Sequence, residues 1–210
     1  MRILMVDDHA IARKGLRSIL ENGFKQATFG EAENSTEALQ KIQNHEWDLV
    51  VLDMSMPGRN GLEVLKEVKA FRPNLPVLVL SMHPEDQYAV RVIKSGAAGY
   101  ITKDSAPDDL VRAVRKVLAG GRYISRALAE EMAAYITLDA RKPAHEMLSD
   151  REFQVLLLIA SGRTVSEIGV ELSLSVKTIS TYRARILEKM AMRTNAELTE
   201  YAIRNKLVGR

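Results

Sequence analysis

Four short apolar runs in the first half of the chain stop at residues able to handle a phosphoryl group. Ile3 to Val6 run into Asp7 and Asp8, Leu49 to Leu52 into Asp53, Val77 to Leu80 into Ser81, and the run at Tyr100 into Lys103. Three carboxylates sharing one crevice repel each other, which pushes some of their pKa values up. A hard divalent cation relieves that repulsion. Mg²⁺ takes oxygen ligands, uses one or two carboxylates directly and fills its other positions with water and phosphate oxygens. A carboxylate is also a nucleophile toward phosphorus, and the transition state of phosphoryl transfer needs positive charge around its equatorial oxygens. Mg²⁺ and the Lys103 ammonium supply it, and the Ser81 hydroxyl can donate a further hydrogen bond. An acyl phosphate on Asp53 adds about −1.5 to −2 charges. It would draw Ser81 and Lys103 inward and let Tyr100 move between exposed and buried positions.

These residues converge only if the runs are neighbouring strands. Leu49 to Leu52 do not alternate with polar residues, as a half-buried strand would, so they read as a strand covered on both faces. Strands are expected at 2–7, 27–32, 48–53, 77–80 and 99–102. Between and after them the apolar spacing predicts helices at 10–21, 35–44, 61–71, 85–94 and 107–119. Ser35 is the expected cap of the second helix, and Gly120-Gly121 ends the fifth. Five strands alternating with five helices imply a parallel sheet covered on both faces. The flavodoxin-like order 2-1-3-4-5 then makes strands one and three neighbours at the switch point. That order brings Asp7, Asp8 and Asp53 into one crevice, with Ser81 and Lys103 beside it.

The chain has 210 residues, long enough for two domains. It has no cysteine, which excludes a disulfide framework and a thiolate metal site. Residues 1–120 carry 16 basic and 16 acidic side chains, and residues 121–210 carry 14 and 11, so the excess of +3 lies in the second part. The apolar run at Val155 to Ala160 is far below the ~20 residues of a membrane span, and the first residues lack a signal-peptide core. A soluble, cytoplasmic protein is expected.

Residues 2–120 resemble a response-regulator receiver domain, the phospho-accepting half of a two-component system. The resemblance is carried by Val6-Asp7-Asp8-His9, by Leu52-Asp53-Met54-Ser55-Met56-Pro57-Gly58 with Gly61, by Leu80-Ser81, by Gly96-Ala97-Ala98-Gly99-Tyr100 and by Lys103. It implies that Asp53 is phosphorylated, that Asp8 binds Mg²⁺ directly and Asp7 through water, and that the Ser55 backbone carbonyl is a further ligand. Ser81 and Tyr100 match the hydroxyl and aromatic switch positions. Ser55 and His83 stand where the family tunes phosphoryl lifetime. Where the family often has Pro after the lysine, this chain has Asp104. His9 reads as a helix-entry residue, Trp47 as packing at the domain edge, and Met54 and Met56 as packing.

The expected domains are 1–121, a linker at 122–147 with a helix at 127–136 and a tether at 138–146, and a small all-α domain of four helices at 148–210. Ser149 with Glu152, and Thr164 with Glu167, have the spacing of capping boxes. Two short helices joined by Ser173-Leu174-Ser175 form a helix-turn-helix pattern. The third helix runs from Val176 to Met190, and Asn195 is the expected cap of a fourth at 196–206. At about 100° per residue, Ile179, Ile186 and Met190 share the inner side, and Lys177, Ser180, Thr181, Ala184 and Arg185 share the outer one. From Ser175 to Arg193 there are five basic residues and one acid, suited to neutralising phosphates while small side chains approach base edges.

This half resembles the LuxR-type, NarL–FixJ-type DNA-binding domain, on Leu148-Ser149-Asp150-Arg151-Glu152, Ala160-Ser161-Gly162, Glu167-Ile168, Leu172, Leu174-Ser175, Lys177-Thr178-Ile179 and Ile186-Leu187-Glu188-Lys189. Gln154, Tyr182 and Gly169 stand where the family usually has Glu, His and Ala, and a mid-helix glycine costs about 1 kcal/mol. The resemblance implies double-stranded DNA contacts by Lys177, Thr178, Ser180, Thr181, Tyr182, Ala184, Arg185 and Lys189. It implies a homodimer contact through Leu198, Tyr201 and Ala202, and two half-sites about one helical turn apart. The combined expectation is a regulator that takes a phosphoryl group from a sensor histidine kinase and controls transcription. It would be no enzyme beyond its own phosphorylation and dephosphorylation. A phosphatase of the haloacid dehalogenase kind would need a second acid two residues after the nucleophile, where this chain has Ser55. A receiver stripped of its chemistry would not keep the three acids.

Overall fold

The structure is a computed structural model that describes residues 1–56, 59–82, 85–126, 128–130, 132, 143–205 and 207–208, without the side chains of 85–88, 106 and 108. The chain divides into two compact units, Met1–Tyr135 and Ile136–Arg210. Among the described residues no helix is long and apolar enough to cross a membrane.

The first unit alternates strand and helix: β1 Arg2–Val6, α1 Ala10–Gly23, β2 Thr28–Ala32, α2 Ser35–Asn44, β3 Leu49–Asp53, α3 Gly61–Phe71, β4 Val77–Ser81, α4 Glu85–Lys94, β5 Gly99–Thr102 and α5 Ala106–Leu118. The five strands form one sheet in the order β2-β1-β3-β4-β5, every pairing parallel, as expected from the runs. Every residue of β3 and β4 is buried. Alternation along the strands sends Ile3, Met5, Val51, Leu78 and Leu80 to one face, where they pack with Leu16 and Leu20 of α1 and Leu110, Val114 and Val117 of α5. Register sets the rest. Val6 pairs with Leu52, Asp53 with Leu80 and Ser81 with Thr102, so the strand ends lie side by side at one rim of the sheet.

Two local readings change in this unit. Asn34, not Ser35, caps α2: its side chain accepts the Glu37 N–H at 2.9 Å while Ser35 is buried in the first turn. Asn is as good a cap as Ser, and the residue one position earlier has the extended backbone a cap needs. Residues 122–123 do not begin a free linker. Tyr123 bridges to Gly99, with its N–H on Ala98 O at 2.9 Å and its O accepting the Tyr100 N–H at 3.0 Å. Leu128 is also buried. The remainder of the expected helix at 127–136 and tether at 138–146 falls largely outside the described residues. Trp47 is half-buried as expected, its Nε1–H donating to Lys41 O at 3.0 Å and the Arg2 guanidinium 4.9 Å from its ring.

The second unit starts with a 3₁₀ turn at Ala144–Met147, followed by α6 Asp150–Ala160, α7 Val165–Glu171, α8 Val176–Lys189 and α9 Asn195–Arg204. Both capping boxes form. Ser173, at φ 54°, turns the chain between α7 and α8. Gly169 is not simply a weak helix residue. A Cβ there would lie 2.9 Å from the Leu174 carbonyl oxygen, and Gly169 O accepts the Leu174 N–H at 2.8 Å, so glycine lets the turn fold back onto the helix.

Glu152 does two jobs in this unit. Its Oε2 accepts the Ser149 N–H at 2.8 Å and lies 2.7 Å from Lys189 Nζ, tying the start of α6 to the end of α8. Burial acts to raise its pKa, but Lys189 and Ser149 prevail and hold it below the ordinary carboxylate value. That stability is present above the unfolded pKa and is lost as pH falls through the folded one. Glu152→Ala is expected to cost about 2 kcal/mol at neutral pH, the sum of a lost cap and a lost charged hydrogen bond. Urea denaturation followed by far-UV dichroism checks this, and a gap from the parent that does not shrink in acid would refute the charge contribution.

Thr194 caps α9, accepting the Glu197 N–H at 3.2 Å, where Asn195 was expected. Asn195 instead accepts from Arg183 Nε at 2.6 Å. The helix is assigned as far as Arg204, and Lys206 lies outside the described residues.

Candidate functional site

The rim at the carboxyl ends of β1, β3, β4 and β5 collects the expected residues. Asp7 follows β1, Asp53 closes β3, Ser81 closes β4 and Lys103 follows β5. Asp7, Asp53 and Ser81 are wholly buried. The sheet ladder continues past the strand ends, through Asp7 N–H to Ala32 O at 3.2 Å, Met54 N–H to Leu80 O at 3.0 Å and Lys103 N–H to Ser81 O at 2.8 Å. The side chains are therefore carried on fixed backbone.

Lys103 Nζ joins the two buried acids, donating to Asp7 Oδ2 at 2.8 Å and lying 2.9 Å from Asp53 Oδ2. Asp7 Oδ1 accepts the His9 backbone N–H at 2.8 Å, and Asp53 Oδ1 accepts the Ser55 N–H at 3.2 Å. Burial raises the Asp53 pKa, and the neighbouring Asp7 adds to that against the pull of Lys103. Burial disfavours the Lys103 ammonium, yet Asp7 and Asp53 outweigh it and raise its pKa.

Ligand atoms of Asp7, Asp8, His9 and Asp53 all lie within 4.8 Å of one another. Asp8 Oδ1 and Asp53 Oδ2 are buried and lack a hydrogen-bond partner; the Lys103 contact to Asp53 Oδ2 is an ion pair without hydrogen-bond alignment. The unpartnered Asp8 Oδ1, converging with a carboxylate oxygen of Asp53 while the Asp7 oxygens are engaged, fits a divalent cation held directly by Asp8 and Asp53. Tyr100 of β5 is wholly buried, on the sheet face opposite Ile101. Ser55 is exposed, and His83 lies outside the described residues.

Arg13 was not picked out from the sequence. It is 5% exposed, and its Nη1 donates to the Asp7 carbonyl oxygen at 2.7 Å, its Nη2 to Glu33 at 2.8 Å and its Nε to Glu31 at 3.3 Å. It thereby fixes the backbone that presents Asp7. The signal was present: Arg13 falls three and seven residues before Leu16 and Leu20, on the buried stripe of α1, where a guanidinium needs acids.

In the second unit α8 turns Ile179, Ile186 and, just past its end, Met190 inward. Lys177, Ser180, Thr181, Ala184 and Arg185 are exposed. Lys177, Thr178, Thr181, Tyr182 and Arg185 line a shallow concavity of about 270 Å³. Two of the expected DNA contacts also have partners within the unit. Lys189 is paired with Glu152, and the Thr178 hydroxyl shares a 2.8 Å hydrogen bond with Ser175 Oγ. Two of the three expected dimer residues lie inside the unit. Leu198 and Ala202 are wholly buried, and the Tyr201 hydroxyl lies 2.9 Å from His145 Nδ1. Their apolar stripe packs within the unit, against α6 among others. Asn195, Ala196, Glu197, Glu200, Ile203 and Arg204 are the exposed residues of α9.

The receiver-domain model of response regulators matches residues 3–115, and that of the luxR family of bacterial regulatory proteins matches residues 146–202. The chain is a response regulator. It is 37% identical over 208 residues to the response regulator UvrY of Escherichia coli, covering 99% of this chain and 95% of that one. It is 35% identical over 209 residues to the response regulator GacA of Pseudomonas viridiflava, covering 99% and 98%. Among solved structures it resembles the response regulator RcsB in a complex with DNA, with TM-score 0.60, 28% identity, and coverage of 100% and 99%. It also resembles RcsB from Salmonella enterica serovar Typhimurium bound to promoter rprA in the presence of phosphomimetic BeF₃⁻, with TM-score 0.63, 29% identity, and coverage of 96% and 98%. This response regulator therefore matches its relatives across both units.

Proposed function

We propose that this response regulator takes a phosphoryl group onto Asp53 from the phosphohistidine of a sensor kinase and thereby controls DNA binding by α8. The observation that carries the reading is the wholly buried Asp53 carboxylate, flanked by Lys103 at 2.9 Å and by the open oxygen of Asp8. A carboxylate oxygen of Asp53 attacks phosphorus as the bond to the donor imidazole nitrogen breaks, and that nitrogen leaves with the electron pair. Asp8, Asp53 and the Ser55 carbonyl, with Asp7 in support, would hold Mg²⁺, which would supply charge neutralisation. Lys103 gives its ammonium to the phosphoryl oxygens, and the Ser81 hydroxyl donates a hydrogen bond. With its charge partner transformed, Lys103 turns from two carboxylates toward the new anion, and Tyr100 repacks beside it.

In the second unit Lys177 and Arg185 would engage phosphates, and Ser180, Thr181 and Ala184 would face base edges in the major groove of double-stranded DNA. Tyr182, half-buried, would contact a phosphate. A cytoplasmic homodimer on two half-sites is the active form, and control of transcription its output. The protein turns over no substrate but its own phosphoryl group.

Incubation with acetyl phosphate and Mg²⁺ is expected to add one phosphoryl group to the intact mass of the parent and none to Asp53→Ala. The phosphorylated parent is then expected to bind promoter DNA more tightly. No gain in the parent would overturn Asp53 as acceptor, and equal DNA affinity in both states would overturn the coupling.

A further inference from the structure

His9 stands at the mouth of the acid pocket, and its imidazole does not behave as a simple partner of the acids. Its Nδ1 lies 3.1 Å from Asp8 Oδ1 and 3.4 Å from Asp7 Oδ1. Nevertheless Asp8 Oδ1 is without a hydrogen-bond partner, so the two atoms are close without the alignment of a donor and an acceptor. As the N-terminal cap of α1, His9 makes no side-chain capping bond. Its side chain is 67% exposed, and packing does not hold it in place.

Close approach without hydrogen bonding is how neighbouring ligands are arranged around an ion. In an octahedron with bonds of 2.0–2.1 Å, adjacent ligand atoms are about 3 Å apart, which matches the separation of His9 Nδ1 from Asp8 Oδ1. Asp53 is wholly buried and brings a carboxylate oxygen into the same group of converging atoms; its Oδ2 has no hydrogen-bond partner, with the Lys103 ammonium 2.9 Å away as its ion-pair partner. Two carboxylate oxygens and one imidazole nitrogen make a mixed donor set. Oxygen sets suit Mg²⁺, whereas imidazole suits first-row transition ions.

We propose that His9 is a nitrogen ligand of the pocket cation, so that the pocket takes a transition ion such as Co²⁺ or Mn²⁺ through Asp8, Asp53 and His9. The proposal rests on the reading of this pocket as a divalent-cation site. It adds a selectivity that the acids alone lack: removing the imidazole costs the transition ion a bond and costs Mg²⁺ little. Loss of an outer-shell partner alone typically lowers metal affinity about 10- to 100-fold, so loss of a direct ligand is expected to weaken Co²⁺ binding at least about tenfold.

The test is calorimetric titration of the full chain with Co²⁺ and separately with Mg²⁺, in the parent, His9→Ala, His9→Gln and Asp53→Ala. Buffer above the ordinary imidazole pKa of about 6.5 is used. Electron spin echo of the Mn²⁺-loaded parent and His9→Ala, read for coupling to ¹⁴N, gives an independent measure. His9→Ala and His9→Gln are expected to lose at least about tenfold in Co²⁺ affinity and less than about threefold in Mg²⁺ affinity, with the ¹⁴N coupling present only in the parent. Asp53→Ala is expected to weaken both ions. Equal losses for the two ions in the His9 variants, or no ¹⁴N coupling in the parent, overturn the role of His9 while leaving the pocket reading intact. Absence of binding by either ion in the parent overturns both.

Discussion

Lys103→Ala is expected to lower the stability of the first unit by about 3 kcal/mol near neutral pH, the low end of the cost of removing one partner from a buried ion pair. Asp7 and Asp53 are both wholly buried and Lys103 is the cation between them, so the change leaves two adjacent carboxylates facing each other. The lower figure is chosen because the Lys103 side chain is 18% exposed and water can enter where it stood. The pH dependence has a definite sign. The stability contributed by Lys103, whose pKa is raised, is present below the ordinary lysine pKa and lost as pH rises through its folded value. Asp53, whose pKa is also raised, carries an ionisation penalty above its folded pKa that is relieved as pH falls. The deficit of the variant is therefore expected to narrow from neutral pH toward the ordinary carboxylate range. The chain has one tryptophan, Trp47, and it lies in the first unit, so its fluorescence during urea unfolding reports this unit. A variant as stable as the parent at neutral pH would contradict the ion-pair account.

Gly61→Ala is expected to cost a further-reaching 2–3 kcal/mol, about the upper range for forcing atoms into a packed site. A Cβ at Gly61 would stand 2.6 Å from the Asp53 carbonyl oxygen and 2.8 Å from Met54 Cα. Both are backbone atoms, so no side chain can swing aside and α3 must move off the end of β3. The Gly61 N–H to Met54 O contact and the Ser55 N–H on Asp53 Oδ1 lie in the same loop. Phosphoryl uptake should therefore fall together with stability. Gly15→Ala is the control. Nothing lies within 4 Å of a Cβ there, and the exposed mid-helix position should gain up to about 1 kcal/mol. Trp47 fluorescence unfolding and phosphoryl incorporation measure both variants. A Gly61→Ala protein with parental stability would show that the helix yields freely.

What could be read from the sequence was whatever repeated. Apolar runs ending in Asp7, Asp53, Ser81 and Lys103 gave strands within a residue of those observed, and sheet order then brought their ends together. Cap positions slipped by one at Asn34 and Thr194, because in each place two neighbouring residues can both cap and only backbone extension separates them. The stripe of Leu198 and Ala202 is apolar whether it meets a second copy or its own unit, and here it packs against α6. Lys189 and Arg183 look equally basic in sequence as Lys177 and Arg185. Only the positions of Glu152 and Asn195 in space distinguish charges already engaged from charges left on the surface. Arg13 was missed because charged residues on a buried stripe are discounted unless their acids are sought.

The bridge at Tyr123 has a consequence for how this chain keeps to itself. β5 is an outer strand, and an open backbone ladder on an outer strand is a template for pairing with another molecule. By taking up the Tyr100 N–H and the Ala98 carbonyl, the segment that leaves α5 serves as a guard strip along that border. A polypeptide stopped at Gly121, the boundary that composition alone recommends, would bare it and invite strand exchange between copies. The segment leading toward the second unit thus also protects the colloidal stability of the first.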